Sequence, residues 1–398
     1  MREGAETRLL AQFGAADLRR LAEATLAIVG LGTVGGGLSL HAALLGVRQL
    51  LVDCGLIDVE NLGSQSFPDI SVGDPKVFVR AWQARLLNGD CPVEPIHARV
   101  EDLGFARLAD ADLLVSSLDS RRSRLAVNEL SLSWKIPMLD LAVAEAGQGL
   151  LGSVALYHPG VEGSACYACR MEMQAFAAAS REGRPAGCPS WRARSAPVTA
   201  PTLASSALAA ITSGFGMLWA IETLAGRSEA LAGRLLLLQG LPVRVSEVRL
   251  TRSPRCVAEH HSSLPLREPA GDTVGDLFET ACRDLAGEPE VLVLHGRVLA
   301  FGLVCERCGD RSGLVRATQA LTDDEVRCDR CGAEEMVPLA LRDRLLPSEA
   351  KPLFDLHWPE LGLPEDDVAS AVLGDRITHY RVHPRSERGT HGRKESSW

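Results

Sequence analysis

The stretch Leu26-Ala27-Ile28-Val29-Gly30-Leu31-Gly32-Thr33-Val34-Gly35-Gly36-Gly37 decides the fold, together with Gln49-Leu50-Leu51-Val52-Asp53 beyond it. The opening apolar run reads as a buried strand, the glycines as a tight turn, Leu38 to Leu45 as a helix, and Gln49 to Val52 as a second strand ending on an acid. A strand, a glycine-rich turn, a helix and an acid-terminated strand make up a nucleotide-binding βαβ unit. Glycine lets the backbone come close to a phosphate and offer it the first amides of the helix, while Asp53 can accept a ribose hydroxyl. Gly30, Gly32, Gly35 and Asp53 are therefore candidate nucleotide contacts. Glycines also serve strand-to-helix packing alone; the acid after the second strand turns the reading toward a ligand.

Working outward, residues 6 to 25 place Leu9, Leu10, Phe13, Leu18 and Leu21 at helical spacing, broken at Gly14. Downstream, Val77 to Leu87 has a helical period, Val93 to Ile96 is a short strand, and Leu113 to Ser117 is a further strand running out onto Asp119. Ligands bind beyond the carboxyl ends of parallel strands, so Asp119 falls on the edge that carries the glycine turn. Between the two lie Asn61, Gln65 and Lys76, which a hydride-transfer enzyme would not need. Lys76 offers positive charge to phosphates and Asp119 a hard oxygen to magnesium. The pattern predicts phosphate chemistry on a triphosphate rather than redox.

A chain of 398 residues exceeds what one core usually holds, so two domains are expected. A hydrophobic fraction of 46% and a charged fraction of 23% fit a soluble globular protein, and a net charge of -9 argues against a broad nucleic-acid surface. The sequence reads as having no apolar run long enough to span a bilayer, and Met1 to Glu6 lacks the apolar core of a signal peptide. A cytoplasmic protein without membrane contact is expected. Its 11 cysteines then call for an explanation other than disulfides, and metal leads, because Cys166/Cys169, Cys305/Cys308 and Cys328/Cys331 are C-x-x-C pairs. The last two pairs have the spacing of a zinc ribbon, with Gly309 and Gly332 placed for the turns around a metal. Prolines and glycines between Leu264 and Gly271 mark a boundary. The expected domains are 1–264, with a crossover segment at 160–200, and 265–384, with the ribbon at 300–340; the polar tail 385–398 is expected to be disordered.

The ordered set Gly30-x-Gly32-x-x-Gly35, Asp53, Asp58-x-x-Asn61-Leu62-x-x-Gln65, Val72-Gly73-x-Pro75-Lys76 and Asp119-Ser120-x-x-x-Arg124 resembles the ThiF/MoeB/HesA family, relatives of the ubiquitin-activating enzymes, over about residues 6 to 260. The resemblance implies a Rossmann-like, doubly wound α/β sheet and a homodimer. It implies that ATP adenylates the C-terminal glycine carboxylate of a ubiquitin-like or sulfur-carrier protein, with a conjugating enzyme as a downstream partner. It puts Asp53 on the ATP ribose, Asn61 and Lys76 on the phosphates, Gln65 beside them, Asp119 on magnesium, and Arg8 among the catalytic groups. One departure stands out: where the family has Asn-Leu-x-Arg-Gln, Ser64 replaces a phosphate-contacting arginine, for which Arg8, Arg121, Arg122 or a partner subunit would have to substitute. In zinc-bearing relatives two C-x-x-C pairs clamp the crossover. Here Cys166 and Cys169 would be joined by Cys256 with His260 or His261, which makes about two zinc ions per chain with the ribbon. Cys188 sits where relatives carry a thioester-forming cysteine, and Arg184 and Arg192 nearby would favour its thiolate. Rival readings are a sulfur-carrier activator for thiamin, molybdopterin or thiolated RNA, a tRNA-modifying dehydratase of the same superfamily, and a degenerate adenylation fold serving as a binding scaffold.

Overall fold

The computed structural model describes residues 5–146, 149–175, 205–240, 242–258, 260 and 265–384, with side chains from residue 9 on, apart from 145, 146 and 149. The chain divides into two compact units, residues to Glu101 with Leu108–Ser263, and Asp102–Arg107 with the stretch from Leu264 on.

In the first unit, β1 (Thr25–Val29), β2 (Arg48–Val52), β3 (Val93–Ile96) and β4 (Leu113–Ser116) pair in parallel, with β1 between β2 and β4. β1 and β4 are continuous apolar runs buried along nearly their whole length, as expected of strands covered on both faces. α1 (Ala5–Glu23) kinks at Gly14, where φ is 76°. α2 (Thr33–Leu45) stops at Gly46, whose left-handed conformation (φ 74°) closes the last turn. α3 (Lys76–Leu87) returns to β3, and α4 (Arg121–Trp134) starts where the Ser120 hydroxyl accepts from the Ser123 amide at 3.3 Å. β5 (Met138–Ala146) joins β4 in parallel, after which β6 (Gly149–Tyr157), β7 (Arg234–Gln239) and β8 (Arg244–Arg249) add on antiparallel, giving the order β3-β2-β1-β4-β5-β6-β7-β8.

α5 (Ser206–Leu224) lies against α2 and β5, and a Cβ at Gly216 would come within 2.9 Å of Leu141. This helix corrects one expectation, because its 19 residues are long and apolar enough to cross a bilayer. Half of it is buried: Leu208, Met217, Trp219 and Ile221 belong to the core with β5 and β6, which accounts for its apolar character.

The second unit contains β9 (Leu266–Arg267), α6 (Val274–Asp284), β10 (Val291–Leu294), β11 (Leu299–Val304), β12 (Arg311–Ala317), β13 (Val337–Arg342), β14 (Arg344–Leu345), β15 (Asp367–Leu373) and β16 (Arg376–Val382). They form a sheet of order β14-β10-β15-β16-β9 and a three-stranded sheet of order β12-β11-β13. α6 opens with a reciprocal cap, Thr273 Oγ1 accepting from the Asp276 amide at 3.1 Å while Asp276 accepts from the Thr273 amide at 3.0 Å. Its apolar face, Leu277, Phe278 and Ala281, packs with the fully buried Trp358 and Tyr380.

Candidate nucleotide site and metal centres

The chain leaves β1 toward β2 on one side and β4 extends the sheet on the other, so the sheet's switch point lies between β1 and β4. A cavity of about 390 Å³ opens there beyond the strand ends. Gly30, Gly32, Asp53, Asn61, Gln65, Lys76 and Asp119 all line it, as does Ser64. Gly35 lies behind the wall, its amide donating to Ser117 Oγ at 3.1 Å. Arg8 lies on α1 with its side chain outside the described set, and Cys188 and His261 fall outside the described residues.

The three glycines do different work. Gly30 has φ 92°, and a Cβ there would lie 2.2 Å from the Ser117 carbonyl oxygen. A Cβ at Gly35 would meet the Gly30 carbonyl oxygen at 2.0 Å. Both positions exclude any side chain because β1, α2 and the end of β4 converge on them. Gly32 has φ -67° and nothing within 4 Å of its missing Cβ, so the space beside it is open to a ligand.

Asp53 holds the turn from the side: one carboxylate oxygen accepts from the Leu31 amide and the other from the Gly55 amide, each at 2.6 Å. Each oxygen retains a further lone pair, so the acid can still receive a ribose hydroxyl. Lys76 is the first residue of α3, its side chain running past Gly55, whose Cβ would lie 3.6 Å from Lys76 Cδ and Cε. Asn61 Oδ1 accepts from the Asp58 amide at 3.0 Å and fixes the loop after β2. Among the described residues, Gln65 Oε1 is buried and has no hydrogen-bond partner, and it lines this cavity. Among the described residues, Lys76 and Asp119 make no ion pair across this cavity. A glycine turn, an acid, a lysine and an unpaired acceptor around one cavity fit a nucleotide triphosphate.

Two further parts of the wall are Arg124, the last residue of the Asp119-Ser120-x-x-x-Arg124 motif, and Glu101, which no motif singles out. Arg124 lines the cavity and forms an ion pair with Asp140 of β5, both nearly buried. Glu101 accepts from Ser123 Oγ at 2.5 Å and faces the same space. Arg80 of α3 sits behind the turn, its guanidinium 4.4 Å above the Phe67 ring and against Gly36, where a Cβ would approach Arg80 Nη2 to 2.5 Å. Burial pulls its pKa down to about 10, with Asp53 working the other way. The second glycine of the Gly35-Gly36-Gly37 run thus has a packing reason: Gly36 makes room for a buried cation.

Cys166, Cys169, Cys256 and His260 converge with all ligand atoms within 4.8 Å of one another. Cys166 Sγ lies 3.7 Å from Cys169 Sγ and 3.6 Å from Cys256 Sγ, and Cys169 Sγ lies 3.7 Å from His260 Nε2. Thiolates bonded to zinc at about 2.3 Å in a tetrahedron sit roughly 3.8 Å apart, so the set has the dimensions of a four-ligand site with no open position. The hydrogen bond from Cys166 holds the Cys169 thiol down at about 4, and the same bond drives the Cys166 thiol far up. Cys305, Cys308, Cys328 and Cys331 form the second group, with Cys305–Cys331 and Cys308–Cys328 sulfur distances of 3.6 Å. Its two knuckles are twins: the Gly309 and Gly332 amides each donate back at 2.8 Å, to the Cys305 and Cys328 carbonyls, from left-handed backbone.

The ThiF family model matches residues 5–258, and the chain belongs to the ThiF family. Adenylyltransferase and sulfurtransferase MOCS3-1 of Zea mays is 26% identical over 317 residues, covering 72% of this chain and 62% of its own length. This chain thus spans about three fifths of that relative. The SAMP-activating enzyme E1 of Haloferax volcanii is 27% identical over 244 residues, 60% of this chain and 80% of that protein. In structure, E. coli MccB crystallised with AMPCPP and MccA superposes with a TM-score of 0.51 at 18% identity, covering 66% of this chain and 75% of the other, a likeness of fold.

Proposed function

We propose that the chain is an ATP-dependent adenylyltransferase that activates the C-terminal glycine carboxylate of a ubiquitin-like protein for conjugation. The observation that carries this reading is the single cavity at the switch point, where the glycine turn, Asp53, Asn61, Gln65, Lys76 and Asp119 meet. In the reaction the carrier's carboxylate attacks the α-phosphorus, an acyl-adenylate bond forms, and the bond to pyrophosphate breaks. The attacking group is already an anion, so the protein's share is positioning and neutralising charge. Asp53 receives the ribose, the amides at the start of α2 and Lys76 face the phosphates, and Asp119 offers an oxygen to magnesium. The maize and Haloferax relatives, an adenylyltransferase and an E1 activating enzyme, support the reaction class and leave the carrier open. Activation of a sulfur carrier uses the same cavity and differs only in partner. Ser64 in the cavity wall favours a second reading, a scaffold that binds partners without turning over ATP. ATP–pyrophosphate exchange with carriers ending in Gly-Gly separates the two. Asp119→Ala and Lys76→Ala should each abolish carrier-dependent exchange while the circular dichroism spectrum stays the same; unchanged exchange in both would remove the site assignment.

Two finer parts belong to the proposal. A covalent thioester on Cys188 is one: Cys188→Ala should keep exchange and lose a reductant-sensitive adduct with the carrier. An undiminished adduct assigns the thioester elsewhere. Zinc in both four-ligand groups is the other, in structural roles, since neither group leaves a position for substrate.

A further inference from the structure

The first four-ligand group and the nucleotide cavity are built on one helix. At its start, Asp119, Ser120, Ser123 and Arg124 line the cavity. Further along, Leu125 and Leu132 of α4 pack with Cys166, Ala168, Cys169 and Cys256, and Asn128 Oδ1 accepts from the Tyr167 amide at 2.8 Å. Leu125, Asn128 and Leu132 are spaced by three and four residues and therefore share one face of the helix.

A second connection runs through β5 and β6. Arg124 is held in the cavity wall by Asp140 and by the Leu141 carbonyl, to which its Nη2 donates at 3.3 Å. Asp140 is 3% exposed. Arg170, the residue after Cys169, donates to the buried Tyr157 hydroxyl at 3.0 Å, and the Tyr157 and Tyr167 rings meet edge to face at 6.3 Å. Tyr157 pairs across β5 and β6 with Met138, two residues before Asp140 on the same strand face, so the turn that carries two metal ligands reaches the strand that holds Arg124 through one tyrosine. Shifting Arg170 shifts Tyr157 and, through the strand pair, Asp140 and its hold on Arg124.

We propose that metal at Cys166, Cys169, Cys256 and His260 and nucleotide in the cavity bind with positive coupling, transmitted by α4 and by Arg170 and Asp140 as positioning residues for Arg124. The proposal rests on the ATP reading above. Coupling between two ligands is reciprocal and typically spans about 5- to 150-fold. It is therefore measured from both sides on the full chain. The Kd for α,β-methylene-ATP, taken by calorimetry, should weaken about tenfold in Cys256→Ala, which loses this ion and keeps the ribbon ion. In wild type, the same nucleotide should strengthen retention of one zinc ion against a chromophoric chelator by the same factor. Arg170→Leu should retain two zinc ions, bind the nucleotide several-fold more weakly and lose the effect of nucleotide on zinc retention, whereas Arg170→Lys should restore part of it. If Cys256→Ala does not fold, the zinc-retention measurement in wild type decides alone. A wild-type chain that binds the nucleotide yet retains zinc equally with and without it overturns the coupling only. A chain that binds no nucleotide overturns the coupling and the proposed function together.

Discussion

Gly30, Gly32 and Gly35 belong to one motif, yet only the structure separates what each is for. Gly30 and Gly35 have backbone atoms at about 2 Å from where a Cβ would stand, while Gly32 has open space. Gly30→Ala and Gly35→Ala should therefore fail to fold or lose several kcal/mol of stability, about the range of forced overpacking with backbone strain added. Gly32→Ala should melt within a few degrees of wild type and still bind ATP poorly, because its new methyl group enters the space beside the cavity. Equal melting losses in all three variants would show that the turn is purely a packing device. The motif itself was legible because a phosphate-binding turn needs its glycines close together in sequence. Arg124 was legible as a motif position and Glu101 was not; the ion pair with Asp140 and the bond from Ser123 that set them in the wall are made by the fold. Arg80 was invisible for the same reason, its place set by Phe67 and Gly36 together.

At the scale of elements, the parallel half of the first sheet follows from its sequence because each strand is a short apolar run followed by a turn and a helix. The antiparallel half does not: all six residues of β8 are exposed, so that strand shows neither alternation nor an apolar run, and it exists through its pairing with β7. The ribbon was legible in full, since both knuckles are local: a C-x-x-C, a left-handed glycine and a returning amide. The first metal group was legible only in halves, because Cys166 and Cys256 lie 90 positions apart and their 3.6 Å approach is made by the fold. If both groups are filled, the purified chain holds about two zinc ions. Cys305→Ala should hold one and keep its nucleotide affinity. Protonation competes with metal, so retention at both groups should weaken as pH falls. One ion in wild type would remove one of the two groups, and elemental analysis of Cys256→Ala would say which.

For the whole molecule, the telling feature is where apolar surface is left over. α3 presents Phe78, Trp82 and Leu86, spaced four apart on one helical face and each at least 50% exposed. α2 lies against both α3 and α5, adding Leu44 from itself and Ile211 and Leu218 from α5, all more than half exposed. Exposed apolar side chains thus recur on three adjacent helices, as they do at interaction sites. A second copy of the chain is the occupant we propose: a two-fold interface is self-complementary, so one apolar face meets the same face of its partner. Being about half buried already, each such side chain adds about half of the roughly 1.5–3 kcal/mol of full burial, so most of those on both copies must be covered to offset the cost of association. Light scattering of the wild-type chain at tens of micromolar should then give about twice the 42.6 kDa of the monomer. Trp82→Glu with Leu86→Glu should give the monomer mass with an unchanged melting profile of the second unit, because two buried like charges on each side cannot be paired. A wild-type chain of monomer mass across that range would leave this face to a different partner and refute the homodimer.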